Sequence, residues 1–291
     1  MPVSMDEVKK LREMTGAGIL DCKKALEEAK GDIEKAKDIL RIKGLAKAEK
    51  KAGRETKEGI IYTLISEDGK RGVILELNCE TDFVARNEEF KKLAQTLARH
   101  ILEEEGNKDK EGSGENISEQ TLKGFGKKVI DFIKEAIAKI GENIQLKRFR
   151  RFDAKDENKL HSYIHGEGRI GVLLEYSIKG ENDNVKVNRI IQDIAMQIAA
   201  MRPEYVSVED VPEDIIEREK NILREQAKNE GKPDHIIEKV VEGRLKKSLK
   251  EKVLLEQMFI KDEKKTVGDI LKESGNVVEV VRFVRYELGG V

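Results

Sequence analysis

The chain has 291 residues, enough for two or more compact units. Charged residues make up 39% of it, against a usual value of about 25%, yet 56 basic and 57 acidic side chains leave a formal net charge of −1. That balance argues against a dedicated nucleic-acid binder, which carries a clear basic excess, and two cysteines are too few for a disulfide framework. Met1 to Lys10 has no apolar segment of the signal-peptide kind, and no stretch approaches the roughly 18 apolar residues of a membrane span, so a cytoplasmic protein with reduced thiols is expected. The density of Lys and Glu matches the surface ion-pair networks of hyperthermophilic proteins.

Ser4-Met5-Asp6-Glu7 reads as a capping box, and Val8, Leu11 and Met14 supply the apolar stripe of a first helix. Thr15-Gly16-Ala17-Gly18 breaks it. A second helix runs from about Ile19 to Ala29, with Gly31 just past its end. Asp32 caps a third, with Ile33, Ala36, Ile39 and Leu40 inward. A small three-helix module over residues 1–45 follows. The glycines lack a preceding strand and a following Gly-Lys-Ser/Thr, so a phosphate loop is excluded. On their own, Ile19 and Leu20 read as core. The stretch 46–58, with Lys47, Lys50, Lys51, Arg54 and Lys57, is a basic, helical-to-flexible linker.

A first core subdomain spans 59–157. Ile60 to Ile65 and Val73 to Leu77 flank the turn residues Ser66 to Gly69 and make a hairpin. The connection Asn78 to Asn87 then carries Phe83, a large aromatic beside an acid. It is either a core anchor at a helix entry or a protruding Asp-Phe wedge for a partner's pocket. Phe90, Leu93, Ala94, Leu97, Ala98 and Ile101 recur at helical spacing. Gly106 to Asn116 reads as a loop. A long helix is expected from Ser118 to Ile140, irregular near Gly124 and Gly126, followed by a stop at Gly141-Glu142-Asn143 and a strand from Ile144 to Phe152.

The pattern then returns. Gly168, Gly171, Val172, Leu174 and Glu175 repeat Gly69, Gly72, Val73, Leu75 and Glu76 at a constant offset, and Ile191, Ile194, Ala195, Ile198 and Ala199 mark the helix after the second hairpin. An internal repeat signals duplicated architecture. The second copy carries Lys179 to Asn184 where the first has Phe83, so the aromatic is not a requirement of the repeated fold. This second subdomain covers 158–206 and 263–291. Between its parts, 207–262 reads as an antiparallel coiled-coil hairpin: one helix opening at Asp210-Val211-Pro212 with Ile215, Ile222 and Leu223, a break at Gly231-Lys232-Pro233, and a second helix with Ile237, Val241, Leu245, Leu249 and Val253 every four residues. The hairpin is a spacer or an arm for a partner or for self-association. Thr266 to Glu273 is a short helix, and Val277 to Leu288 a strand that must pair back with the second sheet. The fold class is α+β.

No catalytic constellation is present. His100, His161, His165 and His235 lack neighbours at metal-ligand spacing. His161 and His165 on one strand would lie roughly 13 Å apart at about 3.3 Å per residue, too far to share a metal.

Thr81-Asp82-Phe83-Val84 is similar to the signature of the elongation factor Ts family, guanine-nucleotide exchange factors of elongation factor Tu. Thr15 to Gly18 followed by Asp21 to Leu26, Lys139 to Ile144, Ser162 to Gly166, Val241 to Arg244 and Thr266 to Gly268 resemble further family motifs in the same order. The resemblance implies that residues 1–45 form a ubiquitin-associated-like module and that the protein is not an enzyme and uses no cofactor. Its partner would be elongation factor Tu, GDP-bound and nucleotide-free, with no membrane, no direct nucleic acid, and higher-order assembly through the coiled coil as an option. Asp82 and Phe83 would enter near the partner's Mg²⁺ site, framed by Thr81 and Val84. Ile140, Gly141 and His165 would support that contact, and Arg12, Ile19 and Leu20 would form a second one from the N-terminal module. Longer family members carry a C-terminal helical module that this sequence lacks, leaving any contact by it in doubt. The competing reading is a ribosome-associated or RNA-binding scaffold without exchange activity.

Overall fold

The computed structural model of the chain describes residues 3–106, 109–179, 185–275 and 277–290. Residues 180–184, most of the stretch that replaces the Phe83 segment in the second copy, lie outside that range.

Three helices open the chain: α1 (Met5–Thr15), α2 (Ile19–Glu28) and α3 (Ile33–Lys51). The Ser4–Glu7 capping box forms, Gly16 ends α1 in the left-handed conformation at φ 67°, and Asp32 caps α3. Val8, Leu11, Cys22, Ala25, Leu26 and Ala36 make the module's own core. The expected linker is helical through Lys51, because its Lys, Ala and Glu residues favour helix and because Ala48 is buried in the core of the next unit.

The first unit contains β1 (Glu58–Ile65), β2 (Arg71–Cys79), α4 (Asp82–Ala85), α5 (Glu88–Leu102), β3 (Lys110–Gly112), α6 (Gly114–Ile117), β4 (Thr121–Leu122), β5 (Lys127–Lys128), α7 (Val129–Ile140) and β6 (Gln145–Asp153). Its main sheet has the order β1-β2-β6-β3. Two expectations are corrected here. The loop after α5 holds β3 and α6, and the helix expected from Ser118 begins only at Val129. Gly124 and Gly126 sit at φ 78° and 62°, values that turn a β4–β5 hairpin and end any right-handed helix.

The second unit contains β7 (Lys159–His165), β8 (Ile170–Ile178), α8 (Val185–Met201), α9 (Glu213–Asn229), α10 (Asp234–Lys252), β9 (Met258–Phe259), β10 (Asp262–Thr266), α11 (Val267–Glu273) and β11 (Val278–Glu287). Its sheet runs β11-β8-β7, so the last strand does pair back. Helices α9 and α10 form the antiparallel hairpin around Leu223, Ala227, Ile237 and Val241. Ile215 and Ile222 face solvent instead of that seam, and Val253 lies past the end of α10.

Side-chain alternation stacks these parts in four layers. Val73, Leu75 and Leu77 of β2 face α5 and α7, and Val172, Leu174 and Tyr176 of β8 face α8. The opposite faces meet each other through Ile61, Ile74, Phe152, Leu160, Leu173 and Tyr286. Into this apolar layer each unit sends a buried glutamate. Glu76 accepts a hydrogen bond from Nε of Arg148 on β6 at 2.8 Å, and Glu175 from Nε of Arg282 on β11 at 2.6 Å. The arginines then cross over: Arg148 stacks on Tyr286 at 4.3 Å and Arg282 on Phe152 at 4.2 Å. A bulge makes each pair possible. Lys147 and Val281 have no partner in the β2–β6 and β8–β11 ladders, and a one-residue slip reverses which face the following side chains occupy. Leu146 and Val280 therefore face the helices, while Arg148 and Arg282 face the opposite sheet.

Replacing Glu76 by Ala leaves Arg148 and the Gly289 N–H without their carboxylate. The expected loss is about 3–5 kcal/mol of unfolding free energy in a urea titration; a loss under about 1 kcal/mol would remove the pair from the inter-sheet contact.

Candidate functional site

β2 ends at the buried Cys79, and the chain turns outward through Glu80 and Thr81. Thr81 is extended and caps α4, its hydroxyl accepting from the Val84 N–H at 3.4 Å. This one-turn helix is amphipathic: Ala85 is buried and Val84 packs on the first core, so Phe83 points out. Phe83 is 81% exposed. That removes the core-anchor reading and leaves a large apolar ring standing in solvent on a fixed turn. Asp82 beside it is half-buried and pairs with Arg86 at 3.6 Å.

The turn is held from below by residues that follow α7. Gly141, at φ 97°, ends that helix, and Glu142 and Asn143 come next. The Glu142 carboxylate accepts from the N–H groups of Glu80 at 3.0 Å and Thr81 at 2.9 Å, and from the Thr81 hydroxyl at 2.6 Å. The Asn143 N–H donates to the Glu80 carboxylate at 2.7 Å. Ile140 is half-buried against the same core, and Gly141 is exposed. The Phe83 turn and the Ile140-Gly141 terminus are therefore one structure, joined by hydrogen bonds that span 61 and 62 positions of the chain. Glu142 and Asn143 were legible only as a helix stop, because a pattern of Gly, Glu and Asn does not say which loop its side chains reach.

His165 lies at the exposed end of β7, its Nδ1 sharing a hydrogen bond of 3.0 Å with the Tyr163 hydroxyl. Arg86 reaches Glu167, in the next turn, at 3.9 Å. This exposed pair contributes little energy but marks the Phe83 turn and the His165 turn as neighbours along one edge. His161, inside the same strand, is bonded to Gln192 at 2.8 Å. Arg12, Ile19 and Leu20 are all exposed on the three-helix module, Arg12 on α1 and the other two at the start of α2. Ile19 is 47% and Leu20 73% exposed, against their reading as core, because Cys22, Ala25 and Leu26 take the inward face of α2. Gly16 brings the module against the end of α7: a Cβ there would lie 2.3 Å from Cε of Lys139.

Among the described residues no group of three His, Cys, Asp or Glu side chains could hold a metal ion, and no helix is long and apolar enough to cross a membrane. The family model described as Elongation factor TS matches residues 80–290. Elongation factor Ts of Aquifex aeolicus is 66% identical over 100% of this chain and 99% of its own length, and that of Hydrogenobaculum sp. is 56% identical over 99% and 100%. Elongation factor Ts of Symbiobacterium thermophilum is 46% identical over 97% of this chain and 90% of its own. The chain belongs to the elongation factor Ts family. Membership gives it a role in translation elongation and protein biosynthesis. The stretch matched by the elongation factor Ts model begins at Glu80, the residue that opens the Phe83 turn, and the module carrying Leu20 precedes it.

Cys79 lies directly beneath this turn. Its Sγ donates to the Thr81 carbonyl at 3.2 Å, and burial, reinforced by the Glu142 carboxylate, pushes the thiol up to about 12. Both Cys22 and Cys79 are buried, so neither should react with an aromatic disulfide reagent at pH 8 until the protein is unfolded; rapid native labelling of Cys79 would mean that the turn opens. The folded state holds the Cys79 proton more tightly than the unfolded state does. Its contribution to stability is therefore complete below the ordinary thiol value of 9.0 and is lost as pH rises towards about 12. Denaturant midpoints from pH 8 to 11 should fall less in Cys79→Ala than in the parent.

Proposed function

We propose that the chain is a guanine-nucleotide exchange factor that binds elongation factor Tu carrying GDP and accelerates release of the nucleotide. A GTPase holds GDP through a phosphate-cradling loop, a helix N-terminus and Mg²⁺. A factor that binds the nucleotide-free state more tightly must weaken GDP by the same ratio, and it needs no bond-making chemistry to do so. The observation that carries the reading is Phe83: a solvent-exposed aromatic on a one-turn helix whose base is fixed by Glu142. An exposed aromatic on a rigid support suits a buried hot spot in a partner's pocket. Asp82, next to it, brings a carboxylate to the same place, where it would disturb a bound Mg²⁺ and the phosphates. Ile140, Gly141 and His165 extend the contact along the edge. Arg12, Ile19 and Leu20 add a second patch that holds the partner without touching the nucleotide.

Release of fluorescent GDP from the cognate elongation factor Tu tests this directly. The intact protein should accelerate release strongly, and Phe83→Ala should remove at least about nine-tenths of the acceleration, in line with the loss of roughly 2 kcal/mol at a hot spot. Leu20→Ala should instead raise the concentration giving half-maximal acceleration and leave the maximal rate in place. No acceleration by the intact protein would exclude exchange. Acceleration that survives Phe83→Ala would move the wedge to Asp82, Ile140 and His165.

A further inference from the structure

The Gly141–Asn143 turn does more than hold Phe83. The buried Asn143 side chain is 1% exposed, and its amide donates to the carbonyl of Ala52 at 3.2 Å and to that of Arg54 at 2.8 Å. These carbonyls lie where α3 ends and the chain turns towards β1. Lys51, in the last turn of α3, donates from Nζ to the carbonyl of Gly141. Further up, α3 crosses α7 so closely that a Cβ on Gly44 would lie 2.9 Å from Cβ of Ala138, and Glu49 pairs with Lys134 at 3.0 Å. Helix α3 is also part of the module that carries Arg12, Ile19 and Leu20. One turn thus receives the end of the module's helix on one side and, through Glu142 and the Asn143 N–H, the base of the Phe83 turn on the other.

We propose that Asn143 is a positioning residue: by locking the end of α3 to the turn beneath Phe83, it makes the module patch and the Phe83 turn a single rigid surface that engages the partner at two points at once. The inference rests on the exchange reading. When two contacts sit on one rigid body, the second forms intramolecularly, at an effective concentration set by the geometry between them. Freeing α3 lowers that concentration but leaves the Phe83 turn intact, because Glu142 still holds Thr81.

The variant Asn143→Asp keeps the side chain's size but has no amide hydrogens for the two carbonyls. Spin labels on Lys10→Cys in α1 and Glu67→Cys in the β1–β2 turn report the distance between module and body, since both native cysteines are buried. The parent should give one narrow distance and Asn143→Asp a broadened one. In the GDP-release assay the half-saturating concentration should rise roughly tenfold while the maximal rate stays within about twofold. Should Asn143→Asp fail to fold, Lys51→Ala cuts the other tether at the surface and should shift both readouts in the same direction. An unchanged distance distribution, or a fall in maximal rate at unchanged half-saturation, would overturn the proposal while the parent still accelerates release. A parent without acceleration removes the exchange reading itself, and the proposal with it.

Discussion

Two sheets closing on one another are the constraint from which the rest of this structure follows. The layer between them is apolar, yet each sheet inserts a glutamate, Glu76 or Glu175, with almost no exposure to water. A buried carboxylate is tolerated only when a charge and hydrogen bonds meet it. Here Arg148 and Arg282 do so, each then lying on the aromatic ring of the other unit. The remaining oxygens are also shared across units: Glu76 takes the N–H of Gly289, beyond the last strand, and Glu175 takes the N–H of Lys155, just past β6. Neither unit completes its own glutamate site. The reciprocity fixes the relative position of the two halves, which a layer of methyl groups alone would leave free to slide.

That fixed relation gives the functional edge its shape. The connection leaving β2 and the turn between β7 and β8 belong to different halves, yet Arg86 and Glu167 meet across them. The duplication supplies the frame, and the specialised feature occupies one copy. After β2 the chain makes a capped single turn with an exposed phenyl ring, and Glu142 and Asn143 hold it from beneath. The three-helix module is carried into the same construction by α3, which runs unbroken from the module's core into the core of the first half.

Much of this was legible in the chain. The capping box at Ser4, the Asp32 cap, the hairpin turn at Ser66 to Gly69 and the helical spacing from Phe90 to Ile101 all rest on short-range stereochemistry, and all form. The repeat of Gly, Val, Leu and Glu announced two related sheets. Where local reading failed, it failed for identifiable causes. The helix expected from Ser118 had the apolar periodicity but also Gly124 and Gly126, whose positive φ values turn the chain into a hairpin. Ile19 and Leu20 looked like core because apolar residues at a helix start usually are, and only the packing of Cys22, Ala25 and Leu26 shows that their side of α2 is left bare.

The sequence by itself determined the elements, the duplication, the family and the singularity of the Thr81 to Val84 stretch, because each is written in residues close together or in a pattern that repeats. It left open whether Phe83 was core or surface, and it was silent on Glu142 and Asn143 as supports. Only the tertiary structure decided those points. Whether a ring is covered depends on every segment that packs near it, and Glu142 reaches Thr81 through a contact spanning 61 positions of chain. The two bulges belong to the same class. A single unpaired residue in β6 or β11 leaves no local mark, yet it reverses the faces of the strand and so places both arginines where the glutamates need them.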